Sequence, residues 1–407
     1  MSCILIAWEL GSNYGHLARC LPIAEGLRQR GHRLVFVVRD TRAAAELLGP
    51  AGFSFLQAPL AVNKTRLARP ASNYAEILLG EGYADPLGLL GIVRAWQGLL
   101  ELSRADLVLA DHAPTALLAA HLAGIAHLAI GNGFAIPPDV SPLPSIRPWE
   151  SIPEARLLHA GQSVDAAMFG VAEKLGFRGA SGLRDLFCKD DLLDTFAELD
   201  HYGVREGANY IGPIFSLAGA QQVAWQEAQS KKVVAYLRPD IPGFSALMTA
   251  LNELDAEKLC VIPGLRPEHA RRWFNRRLRI AFKPVVLTDL LNGADIAISY
   301  GGGGTMSEAL LAGTPLLLVP RFVEQYLAAR PVENLGAGIL VGNDRSKAFF
   351  AGRLRTLLDD SRYAGCARKF AGKYAGFAPQ QAVARAIVAI EGCVSKKTVA
   401  RPTALNG

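Results

Sequence analysis

Apolar runs of four to seven residues alternate along this chain with longer stretches of helical periodicity. The short runs read as strands and the longer stretches as amphipathic helices, so their alternation predicts parallel sheets covered by helices on both faces. In the first half, strands are expected at SCILIAW, RLVFVV, FSFL, DLVLA and AHLAI, with a helix at HLARCLPIAEGLRQRG that closes on Gly31. In the second half they are expected at KVVAYL, KLCVIPG, LRIAFKP, ADIAISY, TPLLLVP and AGILVG, separated by helices such as TMSEALLAG. The pattern restarts, which predicts an α/β fold of two Rossmann-like doubly wound domains facing a cleft.

At 407 residues with 50% hydrophobic content, the chain suits two domains better than one core. The boundaries read as a first domain over 1–212, a second over 213–380, a helix over 381–395 that can return to the first domain, and a frayed tail over 396–407. Residues 130–200 are irregular, opening with IPPDVSPLPSIRPWE, and insertions of this kind commonly line a binding site. NYIGPIFSLAGAQ, near 209–221, is the candidate linker.

Charge narrows the partners. The net charge of +6 is thinly spread apart from RPEHARRWFNRRLRIAFK at 266–283, which we read as a solvated helix face, with peripheral contact to an anionic membrane as the alternative. No nucleic-acid motif accompanies it. The six cysteines are scattered without CxxC or Cys/His pairing, arguing against a zinc site and a disulfide framework and for a reduced, cytoplasmic setting. The N-terminus lacks a signal-peptide pattern and no apolar run reaches the ~20 residues that span a bilayer. No histidines stand at metal-ligand spacing, so no metal is expected.

The stretch ISYGGGGTMSEALLAG, residues 297–312, joins a strand, four glycines and a helix start. That order makes an anion site, because exposed N–H groups and the helix dipole favour phosphate and glycine permits close approach. It is neither a P-loop nor a GxGxxG motif. A tight turn alone would need one or two glycines.

Here the sequence resembles the nucleotide-sugar glycosyltransferases of the two-domain GT-B fold, specifically the UDP-glycosyltransferase family. The resemblance rests on FKPVV, ISYGGGGTMSEALLAGTPLLLVP, RFVEQ and ENLGAGI. It implies an N-terminal acceptor-binding domain, a C-terminal donor-binding domain, and a UDP- or dTDP-sugar as co-substrate with no cofactor. By the same resemblance Phe282 stacks on the base, and Tyr300 stands eighteen positions later at the loop that cradles the diphosphate. Gly302, Gly303, Gly304 and Thr305 would bind phosphate, Glu308 the ribose hydroxyls, and Glu324 with Gln325 the donor sugar. Read alone, Phe282 fits a core position equally well, and Glu308 fits a carboxylate stabilised by the helix dipole.

Two departures stand out. The family usually has histidine where Tyr300 stands, and tyrosine donates one hydrogen bond but carries no positive charge near neutral pH. Arg238, in VVAYLRPD, is the candidate to supply that charge to the diphosphate, against the alternative of a surface arginine at a strand end. Val285 replaces a common glutamine near the nucleoside, so uridine and thymidine are not distinguished.

The N-terminal stretch WELGSNYGHLARCLPIAEGLRQRGHRLVFVV is also similar to the family, whose Gly-His pair opens the first helix. The resemblance makes His16 the general base and Asp111, in ADLVLADHAP, the carboxylate that orients it. Asp111 as a helix cap is the alternative, and His112 ranks below His16 because neighbouring side chains tend to diverge. Asn13, Asn132 and Phe134 are candidates for the acceptor pocket, with Trp149 and Phe169 as further apolar groups nearby in sequence. Three other functions compete with glycosyl transfer: a UDP-sugar epimerase of the same fold, a non-catalytic nucleotide-sugar-binding protein, and a nicotinamide oxidoreductase suggested by GSNYG and Asp40. The last has the wrong glycine spacing.

Overall fold

The computed structural model describes residues 1–400 except Asn13, Asn63 and 216–220, with the backbone alone over 396–400. The chain forms two compact units, Met1–Ser216 with Pro379–Gly407, and Leu217–Ala378.

Among the described residues the first unit is built on seven strands: β1 (Cys3–Trp8), β2 (Arg33–Val38), β3 (Phe55–Gln57), β4 (Leu107–Asp111), β5 (Ala126–Gly131), β6 (Leu192–Leu193) and β7 (Asn209–Tyr210). They lie in the order β3-β2-β1-β4-β5-β6-β7 and every pairing is parallel. All positions of β1 and β4 are buried, which is why both read as unbroken apolar runs. The chain winds outward from β1 in both directions, so the carboxyl ends of β1 and β4 form a topological switch point. Trp8 pairs with Asp111 in register there.

The second unit repeats the plan with β8 (Lys232–Tyr236), β9 (Glu257–Val261), β10 (Leu278–Ala281), β11 (Ile296–Ser299), β12 (Leu316–Leu318) and β13 (Gly338–Leu340), ordered β10-β9-β8-β11-β12-β13 and all parallel. Its switch point lies between β8 and β11, where Tyr236 and Ser299 are partners.

The C-terminal helix, Pro379–Ala400, belongs to the first unit and runs past Ser395. It packs on the helix Gly15–Gln29, where a Cβ at Gly26 would collide with the Ile387 side chain. Arg30 and Glu391 pair at 2.6 Å across the same contact. The basic stretch 266–283 is not one helix face. It comprises a short helix Pro267–Ala270, a 3-10 turn Arg271–Trp273 and β10, with Arg277 paired to Asp255 and Glu227 and Arg279 to Glu257. Strands β6 and β7 fall in and just beyond the stretch read as irregular, and each is only two residues long.

Candidate active site

Each unit carries a polar cluster at its switch point. In the first unit β1 leads through a short loop into the helix Gly15–Gln29, whose second residue is His16. The His16 imidazole stacks on Trp8 with centroids 5.0 Å apart, and its Nδ1 lies 2.8 Å from Asp111 Oδ1. Gly11, at φ +83°, makes room for it, since a Cβ there would sit 2.6 Å from His16 Nε2. Asp111 ends β4 and is fully buried. Arg19, one helical turn beyond His16, donates from Nη1 to both Asp111 oxygens at 2.9 Å, and its Nε pairs with Asp194 just past β6. Cys20 Sγ donates to Asp111 at 3.7 Å.

The electrostatics follow from these contacts. Burial alone would raise the Asp111 carboxyl, but Arg19 and His16 outweigh it and hold it below the ordinary carboxylate value. An ionised Asp111 keeps the proton on His16 Nδ1 and leaves Nε2 as a lone-pair acceptor. Burial pushes Asp194 up to about 6 despite Arg19. Burial, reinforced by His16, drives His112 down to about 3, so its ring is neutral at physiological pH. His112 adopts φ +48°, which turns its ring to within 6.5 Å of the His16 ring.

Of the acceptor candidates, Asn13 lies outside the described residues. Asn132 Oδ1 accepts the amides of Phe134 at 3.0 Å and Ala135 at 3.3 Å, which fixes the turn after β5. Phe134 meets the His112 ring edge-on at 6.0 Å. Asp40 caps the helix Thr41–Leu47 through the amides of Arg42 and Ala43, so the carboxylate a dinucleotide site would need is committed to backbone.

In the second unit Tyr300 follows β11 and the helix Gly303–Leu311 begins directly after Gly302. Gly301 has φ +93° and a Cβ there would lie 2.8 Å from the Gln325 carbonyl, so packing explains this glycine. Gly303 is different: a Cβ there would meet nothing within 4 Å. The helix start has no side-chain cap and no acidic residue in its first turn, which includes Gly304 and Thr305. Its first-turn amides are therefore disposed to take an anion.

Around this loop Arg238 leaves the end of β8, with its Nε buried and without a hydrogen-bond partner among the described residues. Burial raises the Tyr300 phenol above its ordinary value against the opposing pull of Arg238 and Arg321. Arg321 was not singled out by sequence; it pairs with Asp240 at 2.7 Å and lies over Phe322. Glu308 is buried, accepts from Thr288 Oγ1 at 2.7 Å, and is raised by that burial. Gln325 is also buried and its Oε1 accepts the Arg321 amide at 2.9 Å, while Glu324 sits beside it in the first turn of the helix Val323–Asn334. Phe282 follows β10, half-buried, with Phe274 edge-on at 6.4 Å. Val285 is buried. Among the described residues no cluster of metal-ligating side chains occurs, and no helix is long and apolar enough to cross a membrane.

Comparison with solved structures defines the fold. The calicheamicin glycosyltransferase CalG4 superposes with a TM-score of 0.71 at 19% identity, covering 97% of this chain and 98% of that one. The spinosyn rhamnosyltransferase SpnG, solved with spinosyn aglycone, gives 0.66 at 18% identity over 95% and 100%. SpnG has also been solved with thymidine diphosphate. The chain has the GT-B fold and is related to nucleotide-sugar glycosyltransferases. Within that class, residues 245–390 match the family described as Erythromycin biosynthesis protein CIII-like, C-terminal domain. A PGL/p-HBAD biosynthesis rhamnosyltransferase of Mycobacterium bovis is 24% identical over 298 residues, 66% of this chain and 64% of its own length. The NDP-glycosyltransferase YjiC of Bacillus subtilis is 29% identical over 174 residues, 39% of this chain and 40% of its own. The chain thus spans less than two thirds of these relatives.

Proposed function

We propose that the protein is an inverting glycosyltransferase that moves a hexosyl group from a dTDP- or UDP-sugar to a hydroxyl of a small hydrophobic acceptor. The observation that carries this reading is the 2.8 Å contact of His16 Nδ1 with the buried Asp111 carboxylate, which leaves Nε2 able to take a proton. In this mechanism Nε2 removes the acceptor's hydroxyl proton as its oxygen bonds to the sugar's C1. The bond from C1 to the diphosphate oxygen breaks in the same step, and the nucleoside diphosphate departs with the electron pair. Asp111 stabilises the imidazolium formed.

Charge on the departing diphosphate falls to the amides of Gly303 and Gly304, the hydroxyls of Thr305 and Tyr300, and the guanidinium of Arg238. Phe282 stacks on the base, Glu308 accepts from the ribose, and Glu324 with Gln325 orients the sugar. This charge balance uses protein groups and asks for no metal or cofactor. The relatives' names, rhamnosyltransferases among them, and the thymidine diphosphate held by SpnG favour a deoxysugar donor on thymidine diphosphate.

His16→Ala should abolish transfer while nucleotide binding, measured by calorimetry, is retained. A fully active variant overturns the assignment of the base.

A further inference from the structure

Arg345 lies in the loop between β13 and the helix Lys347–Asp359, half-buried and with no carboxylate partner among the described residues. Its guanidinium donates instead to three main-chain carbonyls: Nε to Gly342 at 3.2 Å, Nη1 to Pro242 at 3.1 Å and Nη2 to Pro320 at 2.9 Å. The three carbonyls belong to three loops, which leave the carboxyl ends of β13, β8 and β12. Burial lowers the guanidinium from its ordinary value with no nearby acid to oppose it, so these carbonyls are what offsets the cost of the buried charge.

Two of these loops carry the residues assigned to the donor. Arg238 and Asp240 precede Pro242, and Arg321, Glu324 and Gln325 follow Pro320. Asp240 pairs with Arg321 at 2.7 Å, which joins the same two loops a second time. Gln325 accepts the Arg321 amide at 2.9 Å, and its carbonyl abuts Gly301, where a Cβ would lie 2.8 Å away. A path of contacts thus runs from Arg345 through Pro320 and Gln325 to the glycine loop. On the other side Gly243, at φ +80°, lets the chain approach so closely that a Cβ there would lie 2.8 Å from the Arg345 Cβ.

We propose that Arg345 is a positioning residue of the donor site: its three hydrogen bonds fix the spacing between the loop that presents Arg238 and the loop that presents Glu324 and Gln325. It acts through those residues and not on the nucleotide itself. This rests on the transferase reading above and deepens it by naming what holds the donor site in register. Arginine suits the task because its planar fork aims several donors in fixed directions, whereas lysine offers a point charge on a flexible stem. Loops held at a set spacing bind a ligand without first paying to order themselves. A tie that served stability alone would lower the melting temperature and leave the nucleotide affinity of the folded protein untouched.

The test is calorimetric titration of dTDP and UDP into the full-length wild type, Arg345→Ala and Arg345→Lys, well below the melting temperature of each. Arg345→Ala should bind the nucleotide about tenfold more weakly and Arg345→Lys about threefold, since an ammonium restores the charge without the fork. Guanidinium ion, added below denaturing concentrations, should restore the affinity of Arg345→Ala by refilling the fork, and ethylammonium should not. Arg355→Ala, at an exposed position of the next helix, is the control and should bind as the wild type does. Unchanged affinity in either Arg345 variant overturns the proposal, as does a loss that guanidinium fails to reverse or that ethylammonium reverses equally well. Should Arg345→Ala not fold, Arg345→Lys decides: weaker binding with a wild-type circular dichroism spectrum supports the proposal, and unchanged affinity overturns it. If the wild type binds neither nucleotide, the donor reading itself fails and the proposal falls with it, a result distinct from binding that the variants retain.

Discussion

Replacing Glu9 by glutamine should flatten the loss of stability that the folded protein suffers between mildly acidic and neutral pH. Glu9 follows β1 and is buried, with Oε2 accepting the Thr115 amide at 2.9 Å and Oε1 the Thr115 hydroxyl at 2.5 Å. It thereby ties the end of the strand that leads to His16 to the helix that follows Asp111. Burial pushes its carboxyl from an ordinary 4.5 up to about 7, against the opposing bonds from Thr115. The sign follows directly. The folded state holds its proton up to about 7 whereas the unfolded chain releases it near 4.5, so stability is full below 4.5 and falls as pH rises through 7. At ~1.4 kcal/mol per pH unit the gap amounts to about 3 kcal/mol. Glutamine imitates the protonated form, and the Thr115 hydroxyl can rotate to accept from its amide. Urea unfolding of both proteins from pH 4 to 9 is the assay. The variant should match the wild type at the acid end and exceed it by about 3 kcal/mol at the alkaline end. Parallel curves across that range would refute the reasoning.

Four further substitutions have outcomes set by the geometry. Asp111→Asn removes one of the two carboxylates that the half-buried Arg19 guanidinium pairs with, Asp194 remaining, so stability should drop by about 2 kcal/mol in denaturant unfolding and transfer by about four orders of magnitude in a product assay. Because the Asp111 carboxyl is held below its ordinary value, its stabilisation is present above that value and is lost as pH falls through the lower folded one; the variant should lack this acid-side slope. Arg238→Ala should weaken nucleoside diphosphate binding by about tenfold or more in calorimetry, and unchanged affinity would remove Arg238 from the site. Gly301→Ala should cost about 2 kcal/mol of stability because of its positive φ and its contact with Gln325, whereas Gly303→Ala should leave the melting temperature alone and impair nucleotide binding.

The strands were legible where burial is continuous. CILIAW and LVLAD are buried at every position and carry no competing helical period. β6 is Leu192–Leu193 alone, too short for any period, so Asp194 at its end gave no signal. Arg19 had one, since it stands three residues after His16 on the same helix and side chains at that spacing share a face. His112 was ranked low because neighbouring side chains diverge on an extended chain, but its left-handed backbone brings the ring back beside His16. Arg345 gave no signal, because the carbonyls of Pro242 and Pro320 are far apart in sequence and only the fold brings them to one guanidinium. The four glycines were read as a single feature. The structure separates Gly301, excluded from bearing a side chain by Gln325, from Gly303, which faces open space.

The central claim is that the second unit binds a nucleoside diphosphate at the glycine loop. Calorimetric titration of the purified protein with dTDP and with UDP, using NAD as control, tests it most directly. The account predicts saturable binding of dTDP or UDP on the order of micromolar, no binding of NAD, and loss of the signal in a Thr305→Ala/Glu308→Ala double variant. Heat with NAD alone, or nucleotide binding that the double variant leaves intact, would contradict it.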